Sequence, residues 1–173
     1  MNFVWGNIFS PKKNSLSQVD LIKTLPPFLG LSHRDFVTIE RVVHERNYVQ
    51  GETVFDEGNI GAGLYVIKEG EVLIEKVGGE KPVLLATLHP GDFFGEIALI
   101  DEVPRTARAS VSKKSVLLAF CKPDLEMLRG RNPSVALTIV TNISKLIAQR
   151  LSMTNDKLEI LQTKVNEFES RGD

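Results

Sequence analysis

Thr53-Val54-Phe55, Leu64-Tyr65-Val66-Ile67 and Glu71-Val72-Leu73-Ile74-Glu75-Lys76-Val77, punctuated by Gly58, Gly61, Gly63 and Gly70, are the runs whose reading decides the fold. Each is short and rich in β-branched or aromatic residues, and each ends in turn chemistry, which is the grammar of strands. Residues 71–77 and 82–88 flank Gly78-Gly79 and read as a hairpin. A second turn, His89-Pro90-Gly91-Asp92, leads into Phe93-Phe94-Gly95, and two further strands are expected over 109–111 and 115–120. Closely spaced short strands of this kind predict a small jelly roll or barrel.

Outward from that block the periodicity turns helical. Ser32 and Asp35 stand three apart, close to a capping box with Asp in the usual Glu place, ahead of Phe36, Ile39, Val42 and Val43, which predicts a helix over 32–45. Pro123 opens a short helix to Leu128, and Asn132-Pro133 starts a longer one, with Asn as cap and Pro at the first helical position. If unbroken to about residue 169 it measures roughly 55 Å. Asp156 and Glu159 resemble another capping box, so a break is expected near Thr154-Asn155-Asp156. Leu151, Thr154, Leu158, Leu161, Val165 and Phe168 step by threes and fours, a heptad seam suited either to self-association or to packing back on the barrel. The fold class is α+β, mainly β, with a flanking N-terminal helix and a long C-terminal helix. Residues 1–20 read as an extension, 21–132 as the jelly roll with short helices, and 133–170 as the long helix.

Composition removes several functions. The chain has 173 residues, 21 basic against 22 acidic side chains and a net charge of −1. That suits one domain with a core sufficient to fold without metal or disulfide. Near-neutrality argues against a protein that coats nucleic acid or an acidic membrane. No apolar run reaches the roughly 20 residues of a membrane span, and the start lacks a secretory leader, so the cytoplasm is the default compartment. Cys121, in an apolar run, reads as a buried thiol. His33, His44 and His89 stand apart in sequence, which speaks against a metal-dependent cupin, and no nucleophile has a supporting base nearby. No catalytic residue and no metal site is assigned, and no enzyme activity is expected.

The segment that carries chemistry runs Phe94-Gly95-Glu96-Ile97-Ala98-Leu99 and, after a short loop, Pro104-Arg105-Thr106-Ala107. Gly95 permits a tight exit from a strand, and residues 96–100 suit one helical turn whose first amides attract an anion. Small Ala98 lets a ligand approach the backbone. The Arg105 guanidinium can donate two parallel bonds to phosphate oxygens. Thr106 adds a hydroxyl and an amide, and the Glu96 carboxylate suits a hydroxyl donor such as a ribose. Arginine for phosphate and glutamate for sugar describe a nucleotide site without catalysis. The competing reading is a plain Glu96–Arg105 salt bridge across a loop.

This segment resembles the phosphate-binding cassette of the cyclic nucleotide-binding domain family. Gly58, Gly63-Leu64-Tyr65, Gly70 and His89-Pro90-Gly91-Asp92-Phe93 support the resemblance, which spans about residues 28–160. It implies a ligand, cyclic AMP (cAMP) or cyclic GMP (cGMP), and no cofactor. It also implies that Glu96 takes the ribose 2′-hydroxyl and Arg105 the exocyclic phosphate oxygens, supported by amides of Ala98, Thr106 and Ala107. Gly95 and Ile97 belong to the same cassette, while Ile74, Leu85 and Ala86 would wall the ribose and base. The run Arg150-Leu151-x-x-Thr154-Asn155-x-x-Leu158 is similar to the central dimer helix of the bacterial catabolite activator, so Thr154 and Asn155 would touch the base. Thr106 is compatible with either nucleotide, and the Thr154-Asn155 segment favours cAMP. Arg108 and Ala109 depart from the family's usual small polar residue and valine.

The resemblance leads to the expectation of a stand-alone receptor module. Binding would shift the C-terminal helices and regulate an effector protein or a homodimer formed through the last helix. Ser170-Arg171-Gly172-Asp173 is too short for a DNA-binding domain, and its Arg-Gly-Asp reads as incidental. A catabolite-activator-type effector domain and a non-binding jelly-roll interaction module are the alternatives.

Overall fold

The fold is described over residues 18–169 by a computed structural model. Three short helical pieces come first: α1 (Gln18–Lys23), a 3-10 turn (Pro26–Phe28) and α2 (His33–Glu40). The strands β1 (His44–Tyr48), β2 (Thr53–Phe55), β3 (Gly63–Lys76), β4 (Val83–Leu88) and β5 (Phe93–Phe94) come next. After them are α3 (Ile97–Ile100), β6 (Arg108–Cys121), α4 (Lys122–Arg131) and α5 (Pro133–Glu169).

The sheet is antiparallel, in the order β1-β6-β3-β4, with β2 on β6 and β5 on β3. Its spine is the pairing of the two 14-residue strands β3 and β6, from Gly63 opposite Cys121 to Glu75 opposite Arg108. The sequence splits each of these strands in two, and the structure joins them. Gly70 makes the join in β3: its φ is +99°, and a Cβ there would sit 2.0 Å from Ser115 Oγ. The ladder slips in register on both sides of it. One slip of this kind exchanges the two faces of a strand. Leu64 and Val66 accordingly face the helices, whereas beyond the irregularity Val72 and Ile74 face the barrel interior.

Two apolar clusters result. Inside the barrel lie Ile67, Val72, Ile74, Ala86, Leu88, Phe94 and Leu117. Between barrel and helices lie Ile22, Leu25, Phe28, Ile39, Phe93, Phe120, Leu128, Ile139 and Ile143. The jelly-roll-like fold with flanking helices is as the sequence reads, and several boundaries move. The Ser32–Asp35 capping box is present, but α2 ends at Glu40, because His44 and Glu45 pair with Ala119 and Leu118. The short fourth helix extends to Arg131. Residues 18–20 of the expected extension belong to α1, and residues 1–17 lie outside the described residues, as does Arg171-Gly172-Asp173. Cys121 is half-buried rather than enclosed, and its amide donates to the Asp124 carboxylate at 2.9 Å.

The expected break in the last helix is absent: α5 is continuous over 37 residues. The Thr154 hydroxyl donates back to the Arg150 carbonyl at 2.8 Å, inside the helix, so the local polar groups are satisfied without a cap. Val135, Ala136, Ile139 and Ile143 dock the first half of α5 on the core. Asn142 ties it to the carbonyls of Pro27 and Leu29. From Leu151 onward the helix leaves the domain, with Leu158 54% and Leu161 59% exposed.

Candidate functional site

Gly95 ends β5 with φ +80°, a left-handed turn that a Cβ would obstruct by approaching Arg105 Nη1 to 2.6 Å. The chain then winds into the single turn of α3 and returns through Pro104 and Arg105 into β6. A cleft opens between the outgoing and returning arms. Ile74, Gly95, Glu96, Ile97, Ala98, Arg105, Thr106 and Ala107 all line it, so eight of the residues expected from the sequence come together. Phe55, Phe94, Val103 and Pro104 complete the wall.

Arg105 is 8% exposed and stacks with its guanidinium carbon 4.0 Å from the centre of the Phe55 ring. Its Nη1 donates to the Gly95 carbonyl at 2.9 Å and its Nη2 to the Gly63 carbonyl at 2.8 Å. Nε is buried with no hydrogen-bond partner. A buried guanidinium N–H without an acceptor is costly, and an anionic oxygen would relieve it. Burial lowers the pKa of this arginine, opposed by the neighbouring Tyr65 and Glu96. Arginine nevertheless stays charged.

Glu96 is 2% exposed and pairs with Arg150 of α5, not with Arg105. The simple Glu96–Arg105 salt bridge is therefore replaced by a longer connection. Arg150 also lies over the Phe93 ring, 5.4 Å from its centre. The Arg150 contact uses one oxygen of Glu96, Oε1. A carboxylate has acceptor capacity for further donors.

The other expected residues stand elsewhere. Ala86 is 1% exposed and sits opposite Ile74 in the ladder, inside the core beneath the cleft. Leu85 packs against the same core from the side, and neither lines the cleft. Thr154 and Asn155 are exposed on α5, one turn past Arg150, and also lie outside the lining. Phe55 and Arg150 are the side chains touching Arg105 and Glu96 that sequence reasoning passes over. Phe55 reads as an ordinary strand aromatic, and Arg150 lies 54 residues from its partner. Among the described residues no group of three or more histidine, cysteine, aspartate or glutamate side chains could hold a metal ion.

A jelly-roll-like sheet that presents a stacked arginine and a buried carboxylate across a single helical turn defines a phosphate-and-sugar-binding module. Residues 45–132 match the model of the cyclic nucleotide-binding domain, and the chain belongs to that family. It is 34% identical over 142 residues to the cyclic AMP receptor protein of Thermus thermophilus, a match spanning 81% of this chain and 63% of that protein. The crystal structure of the Thermus thermophilus catabolite activator protein superposes with a TM-score of 0.70 at 32% identity, over 79% of this chain and 63% of the other. A cAMP-dependent protein kinase regulatory subunit from Eremothecium gossypii is 30% identical over 118 residues, 68% of this chain and 25% of that protein. The chain thus corresponds to less than two thirds of the length of these relatives.

Proposed function

We propose that this protein is a cyclic nucleotide receptor module, binding cAMP or cGMP in the cleft between Gly95 and Ala107, and that it acts as a binding protein and not as an enzyme. The observation that carries the reading is Arg105: buried, stacked on Phe55, part of the cleft wall, and left with an Nε that has no hydrogen-bond partner. The exocyclic phosphate replaces the Gly95 and Gly63 carbonyls as acceptor, or joins them, with the Thr106 and Ala107 amides assisting. Glu96 accepts the ribose hydroxyl. Relatives named for cyclic AMP support cAMP, and Thr106 suits both nucleotides, so the base is left to titration.

The output runs through α5. Arg150 touches Glu96, so a ligand hydroxyl arriving at that carboxylate alters a contact that holds the helix. Regulation requires the ligand to bind one arrangement of α5 better than another. Leu151, Leu158, Leu161, Val165 and Phe168 keep their three-and-four stepping in the open along the unbroken helix, and Leu137 adds an exposed position, whereas Val140 and Ile147 pack on the domain's own core. This supports a homodimer through α5, with an effector protein as the other partner. The proposed setting is the cytoplasm. Among the described residues no helix is long and apolar enough to cross a membrane.

Calorimetric titration of refolded, ligand-stripped protein with cAMP and cGMP tests the reading. Micromolar or tighter binding to one of them is expected, with a loss of at least about a hundredfold in Arg105→Ala, the order expected when a desolvated charge partner is removed. No binding by a folded sample would overturn it.

A further inference from the structure

The returning arm of the cassette is held from two sides. The β3–β6 ladder stops at Glu75 opposite Arg108, so residues 104–107 have left the sheet. Along one flank they pair with the loop after β2. Gly58 donates to the Arg105 carbonyl at 2.8 Å, the Arg105 amide donates to the Asn59 carbonyl at 2.8 Å, and Ile60 bridges Pro104. Arg108, which stands where the family usually has a small polar residue, is absorbed here by Asp56 at 2.5 Å.

The other hold is a side chain. Lys76, the last residue of β3, donates from Nζ to the Thr106 carbonyl at 2.8 Å. The same Nζ lies 2.6 Å from Glu57 Oε1. Glu57 is fixed in turn, because its Oε2 accepts from the Val77 amide at 2.8 Å. The lysine hydrogen bond, with help from the Val77 amide, holds the Glu57 carboxyl below the usual carboxylate range. Lys76 therefore continues, with one ammonium group, the tie that the ladder has given up.

The geometry of a peptide makes this tie directional. The Thr106 carbonyl and the Ala107 N–H belong to one planar trans unit and point in opposite directions. With the carbonyl turned to Lys76, the Ala107 N–H is turned away from it. We propose that Lys76, steadied by Glu57, is a positioning residue that sets the Ala107 amide for one particular exocyclic oxygen of the ligand phosphate. The inference rests on the cyclic nucleotide receptor reading and goes beyond it in assigning Lys76 and Glu57 to the recognition of a single oxygen.

The test uses the full chain, the preferred cyclic nucleotide and its two phosphorothioate diastereomers, in each of which a different exocyclic oxygen is sulfur, a weak acceptor. Lys76→Met is expected to weaken the natural ligand about tenfold, with Glu57→Gln intermediate and Lys76→Arg within about threefold of wild type. For one diastereomer the Lys76→Met penalty should collapse to about twofold or less, and for the other it should persist. Equal penalties for all three ligands would reduce Lys76 to a general structural tie and overturn the proposal. So would a Lys76→Met chain, folded by its thermal melt, that binds the natural ligand within about twofold of wild type. A wild type that binds no cyclic nucleotide overturns the receptor reading itself and removes this proposal with it, which separates the two failures.

Discussion

At Gly95 a single hydrogen atom in place of a methyl group decides whether the cassette closes. Its left-handed φ costs other residues roughly 1–2 kcal/mol, and the Cβ of alanine would also press on Arg105 Nη1 and the Gly63 carbonyl. Gly95→Ala should therefore lower the melting temperature and also weaken cyclic nucleotide binding, because the arginine that it displaces is the one proposed to hold the phosphate. Calorimetry and a thermal melt on the same sample check both. Arg150 has a different balance. Removing it leaves Glu96, 2% exposed, without the cation that faces it. Breaking such a pair costs about 2–3 kcal/mol when one partner keeps some solvent contact. Arg150→Met should then melt about 5–10 °C lower. Glu96→Gln in the same background should recover much of the loss, since it removes the stranded charge.

Among the elements, α5 divides in two. Its first half is part of the core through Ile139 and Ile143, and its second half carries Leu158, Leu161, Val165 and Phe168 in the open. A charge at Leu161 therefore meets water in a monomer and a partner helix in a dimer. Leu161→Glu is expected to convert a dimer to a monomer in sedimentation, while the melting temperature of the monomeric fold and the ligand stoichiometry per chain stay unchanged. A wild-type chain that sediments as a monomer at the same concentration would show the exposed seam to be unused by a second copy. The paired strands β3 and β6 act differently, as a frame. One end of β3 supplies the Gly63 carbonyl to Arg105 and the other supplies Lys76 to Thr106, so the cassette is spanned by a single strand.

For the molecule as a whole, three hydrogen-bonded glutamates make its stability fall in acid. Glu57, Glu71 and Glu102 all titrate below the ordinary 4.5. The chief causes are hydrogen bonds from Lys76, from Ser112 and from Lys122 respectively. A carboxyl lowered in the folded state binds fewer protons there than in the unfolded chain, so its contribution is complete above the unfolded value and fades as the pH falls through the folded one. The urea midpoint should stay level from neutrality to about pH 5 and then decline. A chain with all three glutamates changed to glutamine should decline less over the same window.

The range of each interaction decides how far it could be read from the sequence. Turn glycines, the Ser32–Asp35 box and the cassette are local in sequence, and they were legible. The continuity of β3 through Gly70 was not, because it depends on the Ser115 side of β6. The unbroken course of α5 was hidden by a capping pattern at Asp156 whose groups the helix satisfies internally. Arg150, the partner of Glu96, and Phe55, the ring beneath Arg105, become visible only when distant segments meet. Leu85 and Ala86 fall on β4, one at the side of the core and one within it, and neither lines the cleft.

The free half of α5 has a mechanical consequence. Past Arg150 the helix runs on for roughly 28 Å at its ordinary rise of about 1.5 Å per residue. Arg150 stands at the fulcrum, against the cassette. A tilt of about 10° at that point carries the far tip about 5 Å, the pitch of one helical turn. A change in the cassette too small to disturb the barrel would thus become, at Phe168, a displacement large enough to engage or release a neighbouring surface, with the free half of α5 as the moving arm and its docked half held on the core.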